Sequence, residues 1–330
     1  MLLRIVLILA VLLGLSGFAL VRMTRLVDRG WKGPLGPLNE VETELSQKLA
    51  ERVQFLSSTL GQHNAAKAGS LERATSYLVE ELTHMDYEPQ LESFSVRATQ
   101  VSNVIVEITG VGSSTRTILV GAHYDSYLRS PSANSSCSGA AALLELLRLR
   151  AGAPLPCTLR VVFFANGEYP FTGTDGMGAA HHAREARARG DDLVVVICLD
   201  SVGAYSADPN SQRFPFPLNV VYPDTGDFLA AWCEPSARDT MLRFVDAWSA
   251  QARFPLEAGA MPAWFPGMTA GDQRPFAEAG FPALLLTDTG KLRYPLLRTA
   301  GDQPNRLDYA RLARVVAGLE GTLRALAENR

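Results

Sequence analysis

Apolar positions recur along this chain with two periods. From residue 40, Val41, Leu45, Leu49, Val53 and Leu56 return every three or four residues, which predicts an amphipathic helix after Asn39. Residues 70–85 predict a second helix, 138–149 a Leu-rich one, and 175–189 and 238–252 two more. Residues 307–326 close the chain as a helix with Leu312, Val315, Leu319 and Leu323 on one face. Between them lie short apolar runs at 103–108, 117–122, 158–164, 193–199, 218–221 and 282–286 that read as strands. Continuous apolar strands alternating with helices imply an α/β fold: a mostly parallel mixed sheet covered by helices on both faces. In such folds chemistry gathers beyond the carboxyl ends of the strands. That singles out His123, Asp125, Glu168 and Asp200.

The amino terminus breaks this pattern. Residues 5–21 are uncharged and predominantly apolar, with Arg4 before them and Arg22, Arg25, Arg29 and Lys32 after. We expect a membrane helix over residues 1–23, either an uncleaved signal anchor or a signal peptide, with Gly17 and Ala19 as small residues before a cleavage site. A linker over 24–38 and one domain over 39–330 follow, and Trp31 in the linker suits a membrane interface. The basic residues after the segment favour a cytoplasmic domain, but long domains translocate largely regardless of charge. The expected location is therefore membrane-anchored, with the domain exported to the periplasmic or extracellular side.

Composition narrows the chemistry. At 330 residues, 47% hydrophobic and 20% charged, the chain can bury a core. A net charge of −3 gives no broad basic face for nucleic acid. Cys137, Cys157, Cys198 and Cys233 show no CxxC spacing, so thiolate metal binding is not expected; they read as buried small hydrophobes or as one or two disulfides. Only five histidines occur, His63, His84, His123, His181 and His182, and none lies further along. His63 and His84 are expected on the surface and His181 and His182 on a solvated helix face. Trp232, Trp248 and Trp264 are expected in the core or lining a pocket.

His123-Tyr124-Asp125 follows a buried strand, and alternation puts its His and Asp on one side. Then come Ser138-Gly139 opening a helix, Asn166-Gly167-Glu168-Tyr169-Pro170, Met177-Gly178-Ala179, Asp200, Gly280-Phe281-Pro282-Ala283 and Thr299-Ala300-Gly301-Asp302. In this order they resemble metallopeptidase family 28, the co-catalytic di-zinc exopeptidases that include leucyl aminopeptidases, glutamate carboxypeptidase II and glutaminyl cyclases. The similarity runs over residues 40–328. It implies a zinc-exopeptidase-like fold, with His123 and Asp200 as ligands of one zinc, Glu168 as a ligand of the other, and Asp125 orienting His123.

Four positions depart from the family pattern. Ser135 stands where the bridging Asp belongs, Gly167 at the general base, Arg298 at the second zinc-binding His, and Gln273 at the His of a Ser-Asp-His run. Two ligands in one half-site hold at most one weakly bound zinc, and a catalytic zinc takes three protein ligands plus water. Gly167 also removes a base that typically contributes about 10²–10⁴-fold. The favoured expectation is a membrane-anchored pseudopeptidase whose cleft takes a peptide or protein partner, with Arg298 reaching Glu168 or Asp200. Two alternatives stand beside it: an active zinc aminopeptidase with a rebuilt site, binding two zinc ions or one, and an envelope assembly module.

Overall fold

The computed structural model describes the chain except residues 1, 25, 27–29, 113, 152, 217, 264–269 and 329–330. Trp264, Arg25 and Arg29 lie outside the described residues. Eight strands form one mixed sheet: β1 (Gln90–Val96), β2 (Thr99–Ile108), β3 (Arg116–His123), β4 (Thr158–Phe164), β5 (Asp192–Leu199), β6 (Leu229–Cys233), β7 (Leu256–Ala260) and β8 (Ala283–Thr287). Their order is β1-β2-β4-β3-β5-β8-β6-β7. The central four, β4, β3, β5 and β8, run parallel, while β2 and β6 join them antiparallel. Eight helices accompany them: α1 (Leu2–Thr24), α2 (Glu40–Gln54), α3 (Ser70–His84), α4 (Ser138–Arg150), α5 (Gly178–Arg189), α6 (Arg238–Gln251), α7 (Gln273–Glu278) and α8 (Tyr309–Glu328).

The two-residue period of the central strands divides their side chains between two cores. Ile118, Val120, Ala122, Leu159, Val161, Phe163, Val195, Ile197 and Leu199 face the larger core, which α2, α3, α4, α6 and α8 cover. Leu119, Val162, Phe164, Val196 and Cys198 face a smaller one with Ala179 and Ala183 of α5 and Phe276 of α7. The start of α2 follows from its sequence: Asn39 accepts from the Glu42 amide at 2.8 Å, and Glu42 returns a bond to the Asn39 amide at 3.0 Å.

Several expectations need correction. Strands β1, β6 and β7 and the short helix α7 were not expected, because they are short or, in β1, half-polar. Residues 218–220 form a 3₁₀ turn where a strand was expected. Within residues 24–38, Leu26 is buried in the larger core and its amide donates to the Ala258 carbonyl of β7 at 3.1 Å. The amino-terminal segment is helical, but among the described residues no helix is long and apolar enough to cross a membrane, so a spanning anchor is not supported. All four cysteines are free and buried, and Trp232 and Trp248 lie in the core.

Of the histidines, His84 is exposed, but His63 and His182 are buried. His182 turns inward because β1 offers it a carboxylate: its Nδ1 lies 3.0 Å from both oxygens of Glu92, which also accepts from Asn103 at 2.8 Å and has Arg189 at 3.9 Å. Burial works to raise the Glu92 carboxyl, but His182 and Asn103 outweigh it and hold it below the usual carboxylate range. A depressed carboxyl stabilises the fold above its unfolded-state value and loses that contribution as pH falls. Denaturant unfolding is therefore expected to show stability dropping below about pH 4, with that part of the drop absent in Glu92→Gln.

Candidate active site

The site lies where the central strands end. His123 closes β3, Glu168 sits four residues past β4, and Asp200 follows β5. Ser135 lies in a π-helical turn, Ala133–Cys137, that leads into α4. The Ser138-Gly139 pair seats this helix. Ser138 Oγ accepts from the Val202 amide at 3.1 Å, and a Cβ on Gly139 would lie 3.1 Å from the Leu199 carbonyl oxygen, so the helix start packs directly against β5.

Two carboxylates shape the loops through backbone amides. Asp125 accepts from Gly167 at 2.6 Å and from Glu168 at 3.1 Å. Asp302 accepts from Asn134 at 2.8 Å and Ser135 at 3.2 Å, with the Arg298 amide at 3.5 Å. Asn134 ties the same region to Gly203 and to Asp288. Ser132, Asn166, Ser201 and Arg298 all have positive φ without being glycine. Such conformations cost energy and persist where surrounding bonds over-determine them.

Asp125 therefore orients the turn bearing Glu168, not the His123 ring as expected. The ring is held by Asp272, at the start of α7: Oδ2 lies 3.1 Å from His123 Nδ1 and accepts from the His123 amide at 3.1 Å. Asp272 was read only as part of Gly271-Asp272-Gln273, and a partner 149 positions along the chain leaves no local spacing to find it by. His63 was missed as well. Its amide donates to Ser126 Oγ at 2.9 Å and its carbonyl accepts from the Ser126 amide at 2.8 Å, which props the loop after His123.

The centre of the site is an ion pair. Arg298 Nε donates to both oxygens of Glu168 at 2.8 Å. Glu168 is 1% exposed and Arg298 29%. His123 Nε2 lies 3.8 Å from Glu168 Oε1. Burial alone would raise the Glu168 carboxyl, but His123 and the guanidinium hold it below the ordinary range. Burial likewise works against a charged His123, yet Asp272, Glu168 and Asp200 raise it well above an ordinary histidine. Asp200 is shifted up, mainly by its own burial, and accepts from Ser201 Oγ at 3.0 Å. Gln273 is buried beside Asp272, with neither amide atom bonded among the described residues.

Gly167, at the expected base position, faces His123 directly. A Cβ there would lie 2.3 Å from His123 Cβ and 2.4 Å from its Cγ. No side chain fits unless the imidazole moves.

The model of Peptidase family M28 matches residues 103–321. The chain belongs to this family. It is 27% identical over 282 residues to the uncharacterized protein YfbL of Escherichia coli K12, spanning 83% of this chain and 86% of that one. Among solved structures, the LapA aminopeptidase of Legionella pneumophila superposes with a TM-score of 0.66 at 14% identity, covering 90% of this chain and 78% of LapA. BSAP, a zinc aminopeptidase from Bacillus subtilis, gives 0.66 at 12% identity, covering 86% and 95%. The glutaminyl cyclase of Fimbriiglobus ruber gives 0.63 at 18%, covering 89% and 97%. At these identities the likeness is one of fold.

The residues of this family member do not fit a zinc pair. Both oxygens of Glu168 are engaged by Arg298, and Ser135 supplies only a neutral hydroxyl at the position where the resemblance implies a bridging carboxylate. Among the described residues no three His, Cys, Asp or Glu side chains are grouped to hold a metal ion. Because the space of a base is taken by His123, Gly167→Ala is expected to lower stability by about 1–3 kcal/mol through overpacking, measured by urea unfolding against wild type.

Proposed function

We propose that this M28 family member is a pseudopeptidase: a peptidase fold that recognises a peptide end or a partner protein without hydrolysing it. The observation that carries the reading is the Arg298 guanidinium on Glu168 at 2.8 Å. Hydrolysis in a site of this kind needs a metal-activated water, a base and a polarised carbonyl. Arg298 puts a fixed, always-charged organic cation where the family pattern has a metal ligand. Gly167 carries no base, and Ser135 cannot bridge two cations. Each substitution alone would impair a zinc centre, and all three together leave none of its parts complete.

One exposed residue beside the site is suited to recognition. Tyr169, directly after Glu168, is 62% exposed and presents an aromatic face. We propose further that α1 associates with a lipid surface and holds the domain on the exported side. Support comes from the outward-facing Ile5, Leu7, Ile8, Leu9, Leu12, Leu15 and Phe18 of α1. Apolar side chains in that density are stabilised by lipid contact and not by water.

Metal analysis coupled to hydrolysis of a panel of aminoacyl substrates tests the central claim. Purified with zinc present, the protein is expected to carry less than one zinc per chain and to show no turnover above background. Two zinc per chain, with activity lost in Glu168→Ala, would overturn it. Arg298→His alone is expected to restore neither metal pair nor activity, because the bridge and base positions remain Ser135 and Gly167. Arg298→Ala is expected to destabilise the fold by about 3 kcal/mol, since it strips a buried carboxylate of its cation.

A further inference from the structure

Leu26 and Gly30, just past α1, lie against the domain. The Leu26 amide donates to Ala258 of β7, and Gly30 approaches β7 so closely that a Cβ would lie 2.7 Å from the Leu256 amide nitrogen. These contacts cover the edge of β7 that β6 leaves unpaired. Further on, the Arg253 guanidinium lies 5.9 Å from the centre of the Trp31 ring, and Arg314 of α8 donates to the Gly36 carbonyl. A domain tied this closely to α1 presents one fixed face to whatever surface α1 occupies.

That face carries a second apolar feature. The Ala258 carbonyl that accepts from Leu26 also accepts from the Tyr222 hydroxyl at 3.3 Å. Tyr222 ends a loop in which side chains alternate inward and outward. Phe214, Leu218 and Tyr222 are buried against Phe228, Trp232 and Met261. Phe216 and Val220, between them, are 81% and 74% exposed. Three inward anchors thus hold two large apolar side chains out in water, on a loop whose end, Tyr222, shares the Ala258 carbonyl with Leu26. Exposed Arg213 begins this loop, and Arg253 lies near Trp31. Apolar tips among basic residues match a bilayer with anionic headgroups.

We propose that Phe216 and Val220 dip into the same anionic lipid surface that takes α1, so that the domain sits on the bilayer through two contacts with its β7 edge toward the lipid. This rests on the reading that α1 is lipid-bound. The four native cysteines are buried and free, so Val220→Cys can be labelled selectively with an environment-sensitive fluorophore. The full-length protein is then reconstituted with vesicles of phosphatidylcholine and phosphatidylglycerol carrying a shallow lipid-borne quencher. Asp175→Cys serves as the reference site, because Asp175 is exposed just before α5, beyond the opposite half of the sheet.

The expected result is a blue-shifted probe at position 220 that the lipid-borne quencher reaches and aqueous iodide does not, with the reverse at 175. If the protein floats with vesicles while the two sites respond alike to iodide, the loop contact is refuted and the α1 reading survives. If it does not float with vesicles, both fail. Concentration-dependent shielding of position 220 without lipid would assign the loop to a second copy of this chain and overturn the proposal.

Discussion

A carboxylate taken out of water has to be given a cation, and Glu168 sets that requirement for the whole site. It sits at 1% exposure beyond the carboxyl ends of a parallel sheet, with Asp125, Asp200 and Asp272 nearby in the same polar centre. So many acidic groups in one buried volume repel each other and pay a desolvation cost. Two bound metal ions would supply four positive charges. Here the Arg298 guanidinium sits directly on Glu168, His123 lies 3.8 Å from the same carboxylate with its imidazole pushed up by Asp272, Glu168 and Asp200, and burial shifts the Asp200 carboxyl up.

On the proposed reading the residues at 135, 167 and 298 suit one another. With the Arg298 guanidinium on Glu168, a further carboxylate at 135 would add repulsion that a serine avoids. The backbone at 167 lies against His123, leaving no room for a Cβ. Arg298 reaches Glu168 from a left-handed backbone conformation that its amide approach to Asp302 helps to fix. The guanidinium is placed by the loop that carries it and does not rest there by chance.

What could be read from the sequence follows from range. The four central strands and their helices were legible because their apolar runs are continuous and local. His123, Asp125, Glu168 and Asp200 could be singled out because each sits just past a strand in a short motif; Arg298 was expected on Glu168 or Asp200, and the structure places it on Glu168. The errors have one cause. His182 lies in an Arg-rich helix and reads as solvated until β1 supplies Glu92 across 90 residues. Asp125 reads as the partner of His123 by proximity, yet Asp272 takes that place from α7. Residues 24–38 read as a linker because their Gly, Pro and Arg give no period, although Leu26 and Gly30 are fitted to an edge strand that the sequence did not announce. Local pattern fixes elements; pairing across the sheet decides which polar groups meet.

The shape of the site follows from how its loops are held. Asp125 grips the Gly167–Glu168 turn by two amides, Asp302 grips the Asn134–Ser135 turn by two more, and Asn134 spans to Gly203 and Asp288. None of these bonds involves a family metal ligand's side chain on the accepting oxygen. The loops are therefore positioned largely by backbone amides that donate to Asp125, Asp302 and Asn134. On the proposed reading, a fold whose loops are braced this way would lose catalytic charges and keep the shape of those loops, since the bonds that shape them do not run through the side chains of His123, Glu168 or Asp200.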